Sequence, residues 1–308
     1  MSLKFIIASR PYNHQSFGVV TLHKMHEFLL KNGFESEIIF FDGFGKDYKW
    51  IFSTNELNYR KSNLINKNRN YKNYLKEVRE KGIIVYPEVI YGNPLSGKNI
   101  VRYLLNKERV LKPWGMNASK QDFFLVYSKL YRKNFHHELF NPPSIEWLKE
   151  LKINNFNTRK IDVTYIGKGI KYGANKIILN TVEITREWPP QTSDLILLLN
   201  NTRYFFCFDT LSGTQMTALL CGAVPFVFEL GPFKISELIN SELPFFTGKA
   251  SLNEDYSINK LSYDHNEFTN KREESIRYIN KLNDQYETKL LSFVKKIIIH
   301  FKISNSKI

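Results

Sequence analysis

The sequence predicts an α/β fold made of two parallel-sheet halves followed by a long C-terminal helix. Three observations predict it. An apolar run, a helix-period segment and a second apolar run succeed one another within the first 43 residues; the same alternation restarts at residue 161; and residues 266–300 keep one helical period. A chain of 308 residues, 43% apolar and 15% aromatic, can bury the cores of two ordinary domains. The expected division is an N-terminal domain over 1–140, a linker over 141–160, a second domain over 161–265 and a terminal helix over 266–308.

Leu3–Ala8 reads as the first strand, and Ser9–Phe17, with Pro11, as a polar loop. Val19–Lys31 sets Val19, Leu22, Met25, His26, Leu29 and Leu30 near one helical face, and Gly33 closes it. Glu37–Phe41 is a second strand that ends at Asp42-Gly43. Strand, helix and strand at this length make a right-handed parallel unit. Residues 46–80 are polar, rich in Asn, Lys and Tyr, and weakly helical. Gly82–Tyr86 is a strand, Asn99–Leu105 is expected to begin a helix, and Gln121–Tyr127 fits either. The segment 134–160 holds Pro142-Pro143 and a short amphipathic piece, Ile145–Leu151.

The second half repeats the theme. Asp162–Ile166 is a strand, Gly167–Gly173 a loop, Ala174–Asn180 a helical turn or two, and Val182–Thr185 a strand. Thr192–Asn200 is a helix after Pro189-Pro190, with Thr192 or Ser193 as its cap. Tyr204–Phe208 is an apolar strand, Gln215–Cys221 a helix of small residues, and Val224–Phe228 the last strand.

The net charge of +14, from 44 Lys and Arg against 30 Asp and Glu, is compatible with nucleic acid, an anionic membrane face or phosphorylated substrates. The excess is scattered through a Lys/Asn/Ile-rich chain, so it decides nothing alone. No apolar run reaches bilayer length, and the start MSLKFIIASRPYN reads as a strand rather than a signal peptide, so a cytoplasmic location is expected. The tail 295–302 would suit either the anionic inner membrane face or packing back on the protein. Cys207 and Cys221 fall in the apolar strand and helix and read as buried thiols. No residue set has metal-ligand spacing; His136-His137 reads as an exposed linker pair.

The most informative stretch is 203–228. Its strand ends in Asp209, and Thr210, Ser212, Gly213 and Thr214 then lead into a helix start. Such a start presents unpaired N–H groups and a positive dipole end, a place for an anion such as a diphosphate. The plain alternative is a crossover whose hydroxyls only cap the helix. Upstream, Lys168 sits in Gly167-Lys168-Gly169 just after a strand, with Lys171 nearby, and the glycines suit close approach of a ligand. His14, in the loop after the first strand, could act as a base near neutral pH. Asp42 and Glu88, at the carboxyl ends of predicted strands, are rival bases, since open α/β sheets bind ligands outside those ends.

The run Thr217-Ala218-Leu219-Leu220-Cys221-Gly222-Ala223-Val224-Pro225, after the strand and Asp209, resembles the C-terminal half of GT-B glycosyltransferases, particularly bacterial enzymes of polysaccharide and lipopolysaccharide assembly. Arg186-Glu-Trp188-Pro189 with the helix Asp194–Leu199 adds to the likeness, as does Tyr86–Leu95 followed by Val101–Asn106. Together these cover about a third of the chain. The resemblance implies two Rossmann-like domains facing across a cleft and transfer of a sugar from a nucleoside-diphosphate sugar to a cell-surface glycan, without metal or cofactor. It implies that Gly167, Lys168, Thr210, Ser212, Gly213, Thr214 and Thr217 bind the donor, and that Lys168 stabilises the leaving diphosphate in place of a metal. Asp209 would orient the donor sugar, and His14 would serve as base in an inverting reaction. Glu88, Asn93, Lys98 and Arg102 would meet the acceptor. Many retaining members carry two glutamates eight positions apart; Asp209 and Thr217 stand there instead.

The partners expected on this reading are a sugar nucleotide, a glycan or lipid-linked glycan, an anionic membrane at the periphery, and no nucleic acid. Two other classes compete. Gly92-Asn-Pro-Leu-Ser-Gly97-Lys98-Asn99 approaches the P-loop of nucleotide hydrolases, failing at Asn99 where a hydroxyl belongs, and Pro94 removes one N–H from the cradle. A basic, non-catalytic module for nucleic acid or glycan is the other.

Overall fold

The computed structural model describes residues 3–14, 16–42, 51–53, 76, 79–185, 187–239, 241 and 244–303. Arg186, most of the segment 46–80, and the side chain of Asp42 lie outside the described residues. The chain divides into two units: Met1–Asn141 with Asp284–Ile308, and Pro142–Asn283.

The first unit is built on a seven-stranded sheet. Its strands are β1 (Lys4–Ser9), β2 (Glu35–Asp42), β3 (Ile51–Ser53), β4 (Ile83–Pro87), β5 (Asn99–Leu104), β6 (Phe123–Val126) and β7 (His137–Glu138), in the order β3-β2-β1-β4-β5-β6-β7. All neighbours run parallel except β2 and β3. The order reverses beside β1: the chain goes to β2 on one side and returns to β4 on the other, pairing Ile7 with Ile38 and with Val85. Parallel strands covered on both faces read as near-continuous apolar runs, which is how β1 and β4 read in the sequence.

One face of the sheet (Phe5, Ile7, Val85, Val101, Tyr103 and Phe123) packs against Leu22, Met25 and Leu29 of α1 (Phe17–Lys31). The same core takes Tyr286, Leu290, Phe293, Val294 and Ile297 from the end of the long C-terminal helix. That packing is the second of the two uses open to the tail: its apolar stripe is used in the core, and of its large apolar residues Ile299 stands out to solvent. No helix among the described residues is long and apolar enough to cross a membrane.

A correction concerns Asn99–Leu105, expected as a helix. It is strand β5, with Ile100 to Leu104 buried in parallel pairing on both sides. Short apolar runs fit both periods, and β-branched Ile100 and Val101 prefer the pleated surface. Without a helix after the glycines, residues 92–99 cannot form a phosphate-binding P-loop, so the nucleotide-hydrolase alternative loses its geometry.

The second unit has a four-stranded parallel sheet of β8 (Ile161–Tyr165), β9 (Val182–Ile184), β10 (Thr202–Cys207) and β11 (Val224–Val227), ordered β11-β10-β8-β9. Flanking β10 in sequence are α2 (Thr192–Asn200), whose N-cap is Gln191 rather than Thr192 or Ser193, and α3 (Gly213–Leu220). Ala174–Asn180 is not helical; the turns precede it as a 3-10 helix, Gly167–Tyr172. Beyond α4 (Ile235–Ile239), an antiparallel hairpin of β12 (Lys249–Leu252) and β13 (Ile258–Ser262) leads into α5 (His265–His300). Cys207 and Cys221 are buried and form no disulfide.

Candidate functional site

In the second sheet the order reverses between β8 and β10, whose carboxyl ends therefore open the crevice that such sheets offer to ligands. Two of the residues singled out in the sequence stand there. Lys168 follows β8 and Asp209 follows β10, and the Lys168 ammonium lies 2.9 Å from Oδ2 of Asp209. The same oxygen accepts the backbone N–H of Lys168 at 3.1 Å, and the ammonium also donates to the carbonyl of Leu211 at 3.1 Å. Asp209 is 4% exposed. A carboxylate this buried persists only when paired, and Lys168 supplies both a charge and an amide.

The glycines around Lys168 have a different use from the one expected. A methyl on Gly169 would stand 2.3 Å from the carbonyl oxygen of Phe208. One on Gly167, whose φ is +51°, would meet the Tyr165 ring at 2.6 Å and Oδ2 of Asp209 at 2.9 Å. What approaches these glycines is the protein's own β10 turn. They let the two switch-point loops close on each other, and so bring Lys168 to Asp209.

Helix α3 begins beside this pair. Ser212 is its N-cap and accepts the N–H of Thr214 at 3.1 Å. Thr210 is buried and donates its hydroxyl to the carbonyl of Leu230 at 3.2 Å, while Thr217 donates to Gly213 at 3.2 Å. The hydroxyl hydrogens of Thr210 and Thr217 thus go to protein carbonyls, which leaves their oxygens as acceptors. One cap satisfies one of the orphan donors of a helix start, and a helix start with exposed Gly213 and half-buried Thr214 is a place where the others can meet an anion. At the opposite end, Arg272 donates to the carbonyl of Leu220 at 2.8 Å and Arg159 to that of Cys221 at 3.0 Å, two cations placed where the helix dipole favours them. Sequence reasoning missed both arginines, because carbonyl partners 52 and 62 residues away leave no local pattern. It also missed Tyr172, whose phenol is raised by burial and by the nearby Asp209 charge.

In the first unit the equivalent switch point lies between β1 and β4. Glu88 follows β4, is 6% exposed, and accepts the N–H of Leu105 at 3.0 Å. Burial raises its carboxyl to about 7, against the opposing pull of backbone N–H groups. His14 is exposed on the loop after β1.

The other acceptor candidates serve the connection between β4 and β5. Asn93 is a turn staple: its amide donates to the carbonyl of Gly97 at 2.8 Å, and its oxygen accepts from Gly97 N–H at 3.1 Å and from the Tyr86 hydroxyl at 3.2 Å. Lys98 is exposed. Arg102 is 1% exposed and internal. It donates to Asp122 at 2.7 Å and to the carbonyls of Ile90 at 3.3 Å and Gly92 at 2.6 Å. A guanidinium enclosed in this way has no face for an anionic acceptor, which corrects its expected role.

No family model and no curated protein matches the chain. Among solved structures, an alpha-glucosyltransferase in complex with UDP and a 13-mer DNA containing a central A:G mismatch is 10% identical at a TM-score of 0.43, covering 96% of both chains. An alpha-glucosyltransferase in complex with UDP and a 13-mer DNA containing an HMU base is 11% identical at a TM-score of 0.42, covering 98% of this chain and all of the other. The expectation of no nucleic acid among the partners is withdrawn, since both of these neighbours are DNA complexes.

Proposed function

We propose that the chain is a glycosyltransferase that takes a sugar from a nucleoside-diphosphate donor without a metal ion, and that the donor diphosphate binds where Lys168, Asp209 and the start of α3 converge. The observation that carries the reading is the 2.9 Å Lys168–Asp209 pair at the β8/β10 switch point, beside a helix start. As the bond from sugar to diphosphate breaks, negative charge grows on the leaving phosphate. The Lys168 ammonium and the N–H groups near Gly213 offset it, already oriented before the reaction. Asp209 holds Lys168 in place and is near enough to the same point to orient a donor hydroxyl. The second unit would hold the donor and the first the acceptor. The sequence motifs favour a glycan of the cell surface as acceptor, at the inner membrane face.

For the acceptor proton, Glu88 replaces His14 as our first choice. A carboxyl raised to about 7 at a switch point is matched to proton transfer near neutral pH, and a fixed N–H orients it. This role applies to an inverting reaction; a retaining one requires no such base.

A thermal-shift screen of UDP, GDP, CMP, ADP and ATP, with and without Mg²⁺, tests the donor site. A ligand present at a hundred times its Kd stabilises by about 2.7 kcal/mol, enough to raise Tm by degrees. Stabilisation by a diphosphate without Mg²⁺, absent in Lys168→Ala, supports the reading. Stabilisation only by ATP with Mg²⁺ would sink it. Transfer assays with glycan and with DNA acceptors then separate the two acceptor classes.

A further inference from the structure

A pocket of about 360 Å³ lies in the first unit, formed by residues that play no part in the Lys168–Asp209 site. Its wall comes from the loop between β5 and β6, from Tyr91 in the β4–β5 connection, and from Phe124 and Arg132. The loop is fixed from beneath: Met116 accepts the N–H of Gly92 at 2.8 Å, and Ser119 donates its N–H at 3.2 Å to Asp122, the buried partner of Arg102. The pocket therefore stands on the internal ion pair rather than on a free loop.

Its lining is one-sided in charge. Arg109, Lys120 and Arg132 contribute three cations, and Glu108 is the acid among the lining residues. One oxygen of Glu108 is already engaged, accepting the N–H of Met116 at 2.8 Å. Among the described residues, none of the three cations is in a salt bridge. Arg132 lies 3.8 Å from the centre of the Phe124 ring and donates Nε–H to Asn134 at 2.7 Å, so its terminal nitrogens remain for another partner. The indole N–H of Trp114 is buried in the wall without an acceptor. Arg109 is held at a φ of +70°, a conformation that a non-glycine residue keeps only when its surroundings enforce it. Surplus donors and surplus positive charge call for a ligand made of acceptor oxygens. The volume falls in the range of small-molecule sites, roughly 300–1,000 Å³, far beyond a bare oxyanion, and Tyr91 and Trp114 offer aromatic surface to a ring.

We propose that this pocket binds a phosphate monoester carried on a ring, either a sugar phosphate or a nucleoside monophosphate. Calorimetric titration of the full chain with glucose 1-phosphate, UMP and inorganic phosphate tests it. At least one of the two esters should bind below millimolar concentration, and roughly tenfold tighter than inorganic phosphate. Whichever binds tighter identifies the ring. Binding should persist in Lys168→Ala, which removes the donor-site cation, and weaken by roughly tenfold in Arg109→Ala/Lys120→Ala, both at exposed positions. Trp114→Phe, which keeps the ring and removes the N–H, should weaken it further. The proposal fails if neither ester binds, if inorganic phosphate binds as tightly, or if binding survives the double variant and disappears in Lys168→Ala. Should the double variant unfold, Lys120→Glu alone must produce the loss.

Discussion

Lys168 meets Asp209 twice, through its ammonium at 2.9 Å and through its own backbone N–H at 3.1 Å, on a single carboxylate oxygen. The two residues are 41 apart in sequence and adjacent because β8 and β10 are adjacent. Removing the ammonium leaves a buried carboxylate with one amide donor. Lys168→Ala is therefore expected to lower stability, and a cycle with Asp209→Ala should give a coupling energy of about 0.5–3 kcal/mol. Urea denaturation of the four proteins measures it. A coupling near zero would mean that solvent screens the pair in the folded protein.

The glycines of this turn can be separated by what they face. Gly169→Ala drives a methyl to 2.3 Å from the Phe208 carbonyl, a backbone atom that cannot swing aside. Gly173, at a φ of +96°, has nothing within 4 Å of the same position. Gly173→Ala should cost only the left-handed penalty of about 1–2 kcal/mol and leave diphosphate binding intact. Gly169→Ala should cost more, because the β8 and β10 turns must part, and should weaken diphosphate binding at temperatures where the protein is still folded. Thermal unfolding with nucleotide titration distinguishes the two.

Much of this arrangement was legible in the chain. Apolar runs of parallel strands mark β1, β4, β8, β10 and β11 within a residue or two, and Gly167-Lys168-Gly169 and Asp209 stand out by their places after strands. The alternation does not show that Gly169 faces Phe208 or that Thr210 bonds Leu230, since both contacts depend on how neighbouring turns close. Asn99–Leu105 was misread because its apolar spacing satisfies a helix as well as a buried strand. The hairpin of β12 and β13 was missed because Lys249, Ser251, Asn259 and Lys260 keep much of it polar and exposed. The acceptor role of Arg102 rests on the resemblance alone, and its true partner Asp122 lies 20 residues on, where no local pattern points to it.

That internal pair gives a third prediction. Arg102→Met leaves Asp122 buried with the Ser119 N–H, and orphans the carbonyls of Ile90 and Gly92. Breaking a buried pair from one side typically costs about 3–5 kcal/mol, far more than a surface bridge. The loss should appear as a lower urea midpoint. Arg102→Met/Asp122→Leu should recover part of it, since no uncompensated charge remains. If Arg102→Met proved neutral, the guanidinium would not be carrying the β4–β5 connection.

Glu88 supplies the last, and its sign can be worked out. In the unfolded chain its carboxyl titrates near 4.5, and in the folded protein burial raises it to about 7. Between those values the folded state holds a proton that the unfolded state releases, so stability falls as pH rises from 4.5 and levels off above about 7. At about 1.4 kcal/mol per pH unit the full effect is on the order of 3 kcal/mol. Glu88→Gln keeps the shape and cannot ionise, so its stability should lack this fall and exceed that of the parent most at pH 8. The same variant should lose transfer activity if Glu88 takes the acceptor proton, while a purely structural Glu88 would leave transfer intact in the more stable protein. Stability profiles from pH 4 to 9, set beside transfer rates over the same range, separate a residue that merely tolerates burial from one that uses it.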